Sequence, residues 1–432
     1  MSLPRYPEYK DSGVEWLGYV PAHWDVRRLG HFFAERREKV SKDFPPLSVT
    51  KNGIVPQLDT AAKTDDGDNR KLVRADDFVI NSRSDRKGSS GASKLDGSVS
   101  LINTVLKPTG GLAARFAHHL FRSVPFQEEY YRFGKGIVAD LWSTNYSEMR
   151  NISLAVPEIA EQATITEFLD RETATIDALI AEQEKLLALL AEKRQATISH
   201  AVTRGLDLNV PMKDSGIAWL GEVPAHWSVA KLGLYGQVEN GTTPSRAVPE
   251  YWEEGDIPWL ASGEVNQVEI TEASEFITTR GLNENSLRLL PVGTIVIGLI
   301  GQGRTRGMPA ILRIPAAINQ NLAAICVGPR LKGEYLFYVF RAVYQWLREA
   351  GRGGNQAAMN CEMLAALQIP VPPFTEQDRI CSSVEDQSSK LDLIQTATVR
   401  AIDLLAERRS ALISAAVTGQ IDVRGLVSEA AA

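Results

Sequence analysis

The chain has 432 residues, too many for one ordinary hydrophobic core, so two or three domains are expected. Hydrophobic residues make up 44% and charged residues 23%, a globular balance, and the longest apolar stretch, Leu289–Ile300, is broken by Pro291, Gly293 and Gly298, which argues against a membrane span. The net charge of −6 speaks against a uniformly basic nucleic-acid binder, but that average conceals regional differences.

Taken in order, residues 1–24 form an N-terminal segment. Its start, MSLPRYPEYKDSG, lacks the basic-then-apolar pattern of a signal peptide. Cys326, Cys361 and Cys381 are few and widely spaced, so reduced thiols and a cytoplasmic location are expected. The segment contains a motif that returns later. Lys10–Gly30 reads KDSGVEWLGYVPAHWDVRRLG, and Lys213–Gly233 reads KDSGIAWLGEVPAHWSVAKLG, with 15 of 21 positions identical. Further on, Glu161-Gln162 matches Glu376-Gln377, and Lys193–Leu208 shares an RxxxIS…AVT…(L/I)D skeleton with Glu407–Val423. The chain is therefore a tandem duplication of a unit of about 200 residues. His23-Trp24 and His226-Trp227 recur in both copies, which reads as scaffold packing.

Residues 25–157 and 228–373 are the variable stretches. Each is expected to fold as an α/β domain. Residues 25–150 hold 21 Lys and Arg against 16 Asp and Glu, whereas residues 228–366 hold 12 against 13. In each domain a β-like run leads into a glycine-rich basic loop. Asp76–Ile80 precedes a loop with Arg83, Ser84, Arg86, Lys87, Ser89 and Ser90, and Gly293–Ile300 precedes one with Gln302, Arg304, Thr305 and Arg306. Glycine admits close approach of backbone to phosphate, Arg pairs bidentately with guanine, and Asn or Gln with adenine. Such loops can also be solvated hairpin tips; DNA recognition is favoured because both domains place the same chemistry after the same strand. A second pair of candidates is Lys135 in Gly134–Gly136, and Arg352, Asn355 and Gln356 in Gly351–Gln356, either phosphate contacts or turns. Asn319 follows an apolar strand and Asn103 sits in the corresponding place. Such amides either reach a base or satisfy buried backbone, the latter being favoured.

Two long helices are predicted, over 158–205 and 374–420, with a repeated linker at 206–227 and a tail at 421–432. Leu169, Thr173, Ile176, Ile180, Gln183, Leu187 and Leu190 alternate by four and three, as do Ile380, Val384, Gln387, Leu391, Ile394, Thr398, Ala401 and Leu405. That is the seam of a coiled coil. Prolines 157 and 373 precede the helices, Thr375 is a plausible N-cap, and Gly205 and Gly419 follow a Val-Thr pair as stop signals. Antiparallel pairing suits two repeats related by a two-fold axis. The C-terminal helix would then supply the partner that the N-terminal KDSG segment lacks, bringing the chain ends together. The fold class expected is α+β: two α/β domains separated by two long antiparallel, coiled-coil-like helices with circularly closed pseudo-two-fold symmetry.

Catalytic signatures are missing. No GxxxxGK(S/T) loop is present, and the histidines and cysteines lack metal-ligand spacing. Val371-Pro372-Pro373-Phe374 approaches an adenine-methyltransferase motif, but valine replaces the polar first residue, so it reads as the turn before a helix. A DNA methyltransferase or nuclease with unrecognised motifs, and a helical oligomerisation protein, are the competing readings.

The KDSGxxWLGxVPAHW segments, the variable domains, the EQ at the start of each long helix and the AVT…D at its end together resemble the specificity subunit of type I restriction–modification enzymes, over nearly the whole chain. The resemblance implies two target-recognition domains, each reading half of a bipartite site in double-stranded DNA. It implies two modification (methyltransferase) subunits docked on the helices, and restriction subunits that are ATP-dependent translocases and endonucleases. S-adenosylmethionine, ATP and Mg2+ would reside on those partners, with no cofactor and no catalysis on this chain.

Overall fold

In the computed structural model, residues 3–40, 44–51, 53–58, 69–83, 88–136, 142–301, 304–350 and 359–428 are described. Two compact units emerge: Met1–Glu184 with Val399–Ala432, and Lys185–Thr398. The division falls inside two long helices, a central one at Ile159–Arg204 and a C-terminal one at Phe374–Val417. Their ends agree closely with the sequence signals. Gly205 and Gly419 sit at φ +76° and +74°, the left-handed conformation that terminates a helix and that a side chain disfavours. Thr375 does not cap the second helix, because the helix already begins at Phe374.

In the first unit, strand Asp25–Arg28 pairs antiparallel with Ser153–Val156 and so brackets the variable domain between neighbouring strands. Inside it lie a four-stranded sheet and a three-stranded sheet. The four-stranded sheet centres on Phe78–Asn81, which pairs with Ser90–Ala92 on one side and Asn103–Pro108 on the other. Helices Ala114–Arg122 and Val124–Arg132 cover it, burying Phe116, Phe121 and Phe126 completely. The second unit repeats the bracket, Ser228–Lys231 against Gln368–Val371. Its five-stranded sheet has Leu322–Val327 between Gly236–Asn240 and Ile295–Gly298, with helix Gly333–Ala350 packed on it. Both heads are mixed α and β.

The repeated residues form corresponding local structures. Lys10 Nζ donates to the Trp24 carbonyl at 2.5 Å, and Lys213 Nζ to that of Trp227 at 2.6 Å. Asp11 and Asp214 each accept from the N–H of the glycine two residues on, at 2.9 Å. Trp24 and Trp227 are buried. In the first unit this segment meets the end of the C-terminal helix: Asp422 N–H donates to Pro4 O at 2.8 Å, and Tyr9 hydroxyl to Gln420 O at 3.4 Å. The chain ends therefore meet, as the repeat order requires. In the second unit the equivalent segment meets the end of the central helix, with Trp227 beside Gly205.

The helices run antiparallel within each unit. In the first, Asp177 takes Arg409 at 2.8 Å, and Ile165 and Leu169 share a core with Ile413 and Val417. In the second, Arg194 pairs with Asp392, and Ile198 and Val202 share a core with Val384 and Ile380. Most expected seam positions are the least exposed of their turns, Leu169, Thr173, Ile176, Leu190, Ile380, Val384, Leu391 and Thr398 being buried. Ile394 departs from the pattern at 46% exposure, and Gln387 is also exposed. A 3.5-residue repeat drifts round a straight helix, so a seam read from spacing alone loses its face along 44 residues.

A candidate nucleic-acid interface

Each head is fixed to its long helix by the EQ dipeptide. Gln162, fully buried, accepts from Ala113 N–H at 2.8 Å and donates to the carbonyls of Gly111 and Pro157, both at 2.9 Å. Gln377, also fully buried, accepts from Lys332 N–H at 2.8 Å and donates to Arg330 O and Pro372 O. Before it, Glu161 receives His23 at 2.7 Å, Tyr6 hydroxyl at 2.7 Å and Trp24 Nε1 at 3.1 Å, while Glu376 receives His226 at 2.8 Å. The identity of PAHW and EQ in both copies thus records an internal joint. A further tie in the first unit joins Asp170 to His119, at 2.7 Å, and to Arg115. The bond from His119 and, secondarily, Arg115 hold the Asp170 carboxyl down at about 2.

From this joint the sheets carry the loops outward. In the first head every residue of Phe78–Asn81 is buried, and the strand delivers Arg83 exposed at its end, its N–H donating to Asn81 Oδ1 at 3.0 Å. Ser82 O accepts from Thr144 N–H at 3.0 Å, and Ser143 forms bridges to both Arg83 and Lys135. Two candidates remote in sequence, Arg83 and Lys135, are thereby brought to either side of one residue. Lys135 keeps 77% of its side chain exposed and pairs with Glu148 at 3.0 Å. Behind them is a small, partly open cavity of about 20 Å³, lined by Phe121, Phe126, Tyr130, Tyr131 and Trp142 as well as Arg83.

The second head repeats the arrangement with different residues. Buried strand Ile295–Gly298 leads to exposed Arg304, whose carbonyl accepts from Tyr344 hydroxyl at 2.7 Å. Tyr344 oxygen in turn accepts from Arg348 Nη1 at 2.7 Å. Both belong to the helix that ends at Ala350, just before the second glycine-rich candidate of this head. In both heads, then, the strand-end loop is buttressed by the helix, or the turn after it, that leads to the other candidate segment.

Not every candidate faces outward. Ser89 and Ser90 are 6% and 1% exposed, because the chain returns immediately into the strand pairing with Phe78–Ile80; they are scaffold. Thr305 and Arg306 are half-buried in the stem of their loop, where Gly298 packs so closely on Thr305 O that a Cβ would lie 2.2 Å away. Asn319 is 5% exposed and spends its side chain on the N–H of Asn321 at 2.9 Å, so it shapes the turn and does not reach a base. Asn103 is buried too, donating to Ser100 O at 3.1 Å. Nor does Asn103 correspond to Asn319: Ser82 N–H donates to Ile102 O and Leu299 N–H to Asn321 O, which matches Asn103 with Leu322. Ser84, Arg86, Lys87, Gln302, Arg352, Asn355 and Gln356 lie outside the described residues. Among the described residues no group of three or more His, Cys, Asp or Glu could hold a metal ion, and no helix is long and apolar enough to cross a membrane. The residues that sequence reasoning missed are Tyr344, which signals nothing beyond an aromatic on a helix, and the EQ pair, whose exact recurrence was the available signal.

Comparison with known proteins agrees with this layout. A family model described as the type I restriction modification DNA specificity domain matches residues 224–400. The type I restriction enzyme EcoR124I/EcoR124II specificity subunit of Escherichia coli is 24% identical over 77% of this chain and 76% of its own length. The MjaVIII specificity subunit of Methanocaldococcus jannaschii is 22% identical over 94% of this chain and 95% of its own. A solved chain from a study of complex assembly and conformational transition of the type I R-M system superposes with a TM-score of 0.67 at 17% identity, covering 92% of this chain and 98% of that one. The repeated scaffold and the two divergent heads agree with these similarities: residues 224–400 match the type I restriction modification DNA specificity domain, and the chain as a whole is similar to type I restriction enzyme specificity subunits.

Proposed function

We propose that the chain reads a split DNA site, one half with each head, and performs no chemistry on it. The observation that carries this reading is the convergence, in each head, of a basic strand-end loop with a second segment: Arg83 with Lys135, and Arg304 with the end of helix Gly333–Ala350. Basic side chains anchor phosphates and position the head, while amides and guanidiniums on the same loops discriminate bases. The heads differ in loop sequence and in charge, so the two half-sites differ. Ser84, Arg86, Lys87, Gln302, Arg352, Asn355 and Gln356 belong to the same loops by sequence and complete the proposed contact set.

The long helices serve as the spacer between recognition domains and as the seat for two modification subunits, with restriction subunits joining the assembly. Exposed apolar side chains on those helices, Leu179, Leu189, Leu393, Ile394 and Leu404, support a protein contact there. Methyl transfer, with S-adenosylmethionine, and ATP-dependent cleavage, with Mg2+, fall to the partners. The layout of two target-recognition domains flanking an antiparallel helix pair, bounded at 25–157 and 228–373, is part of this proposal.

The test is to sequence methylated bases in DNA treated with the assembled modification complex. A split adenine-methylated motif is expected, and the purified chain with S-adenosylmethionine should transfer no methyl group on its own. Methyl transfer by the isolated chain would establish the methyltransferase alternative, and an assembled complex that binds all sequences equally would refute the reading.

A further inference from the structure

The turn that faces each strand-end loop differs in kind between the heads. In the second head, Leu299 N–H, where the Arg304 loop departs, donates to Asn321 O at 2.9 Å. In the first, Ser82 N–H donates to Ile102 O at 3.1 Å and Ser82 hydroxyl to the same oxygen at 2.5 Å. Strand registers agree, since Asn81 faces Asn103 in one sheet and Gly298 faces Leu322 in the other. The positions therefore correspond residue by residue: Leu101 with Gln320, and Ile102 with Asn321. Gln320 is exposed. Leu101 and Ile102 are 39% and 36% exposed, two adjacent large apolar side chains at the tip of a turn.

The second turn is built to display its amide. Asn319 is buried beneath Gln320 and locks the turn by accepting from Asn321 N–H. Gly241 N–H donates to Asn319 O at 3.3 Å and Thr242 N–H to Ile318 O at 3.1 Å, bringing a neighbouring segment alongside. The approach is so close that a Cβ on Gly241 would stand 1.6 Å from Ile318 O, which accounts for glycine there. The next residue but one, Thr243, donates its hydroxyl to Gln320 Oε1 at 2.6 Å. That bond orients the amide, leaving both Nε2 hydrogens and one Oε1 lone pair free to point outward.

We infer that this turn is a second base-reading element in each head, Gln320 recognising an adenine edge in the second and Leu101 with Ile102 covering a thymine methyl group in the first. The inference rests on the DNA-recognition reading above. An oriented amide offers one donor and one acceptor, the complement of adenine N7 and N6, whereas apolar contact in the major groove recognises the thymine C5-methyl. Thr243 is a positioning residue that removes rotamer freedom before binding. The duplicated scaffold thus keeps one platform and changes its chemistry between amide and hydrocarbon.

The experiment uses the complete modification complex carrying variant specificity subunits, with methylated motifs read by sequencing. Gln320→Ala should relax one position of the half-site read by the second head, lowering its discrimination about tenfold, and leave the other half-site intact. Thr243→Val should relax the same position to a smaller degree, because it removes orientation but not the amide. Leu101→Ser with Ile102→Ser should relax a T·A position in the other half-site. An unchanged motif in Gln320→Ala would overturn the inference, as would equal loss at all positions accompanied by a lowered melting temperature, the mark of a structural role. A wild-type complex that shows no split motif would instead refute the recognition reading itself.

Discussion

Replacing Gln162 by Leu tests whether the EQ joint holds the first head on its helix. The substitution keeps the size of the side chain and removes three hydrogen bonds, to Ala113 N–H, Gly111 O and Pro157 O. The site is fully buried, so water does not replace them. Each buried group left without a partner costs about 1–3 kcal/mol. The three share one side chain and are not additive, so the expected loss is about 3 kcal/mol for the joint. For a unit of about 200 residues this lowers the melting temperature by about 6–12 °C. Differential scanning calorimetry of the whole chain is the assay, with Gln377→Leu expected to destabilise the second unit in the same way. Gln195→Leu is the control, since that exposed side chain donates to Arg341 O and Ser199 Oγ at the surface, where water replaces the lost bonds; its change should stay within about 0.5 kcal/mol. A shift below 2 °C for Gln162→Leu would refute the account of the joint.

Three further outcomes are expected. Gly419→Ala should destabilise more than Gly205→Ala: both glycines have positive φ, but the added Cβ would stand 2.3 Å from Pro21 in the first case and 3.2 Å from Trp227 in the second, and comparison of the two melting temperatures decides it. Because the Asp170 carboxyl is held at about 2 in the fold against an ordinary 3.8, its contribution is present above pH 4 and lost as pH falls toward 2; melting temperature against pH should fall less steeply over that window in Asp170→Asn than in the wild type. Arg83→Glu and Arg304→Glu should each weaken DNA binding by the assembled complex and reduce the slope of log affinity against log salt, whereas an unchanged slope in a binding titration would remove these residues from the phosphate contacts.

The scaffold was legible in the sequence because each of its parts has a local cause. A Val-Thr-Gly or Val-Thr-Arg-Gly stop needs only the left-handed conformation that glycine permits, and Gly205 and Gly419 adopt it. The long helices declare themselves by apolar spacing over more than 40 residues, and their pairing direction follows from duplication. Exact recurrence also marked PAHW as structural, although what it bonds to, the EQ pair included, is remote in sequence and only the fold shows it.

Of the candidate interface, the exposure of its residues was legible in part. Arg83 and Arg304 are exposed at strand ends, as the loop composition suggested, while Ser89, Ser90 and Asn319 share that composition and are buried. Whether a polar residue on a short loop faces water depends on how soon the chain re-enters a sheet, and strand register sets that point. Register arises from pairing between Phe78–Asn81 and partners on both sides, a cooperative choice that no window of sequence contains. Sequence by itself determined the duplication, the helices and the two divergent heads, because these rest on identity, periodicity and local backbone preference. Tertiary structure alone decided that Lys135 stands by Arg83, that Tyr344 braces Arg304, and that Gln320 rather than Asn319 is displayed, because each depends on strands and helices meeting across long stretches of chain.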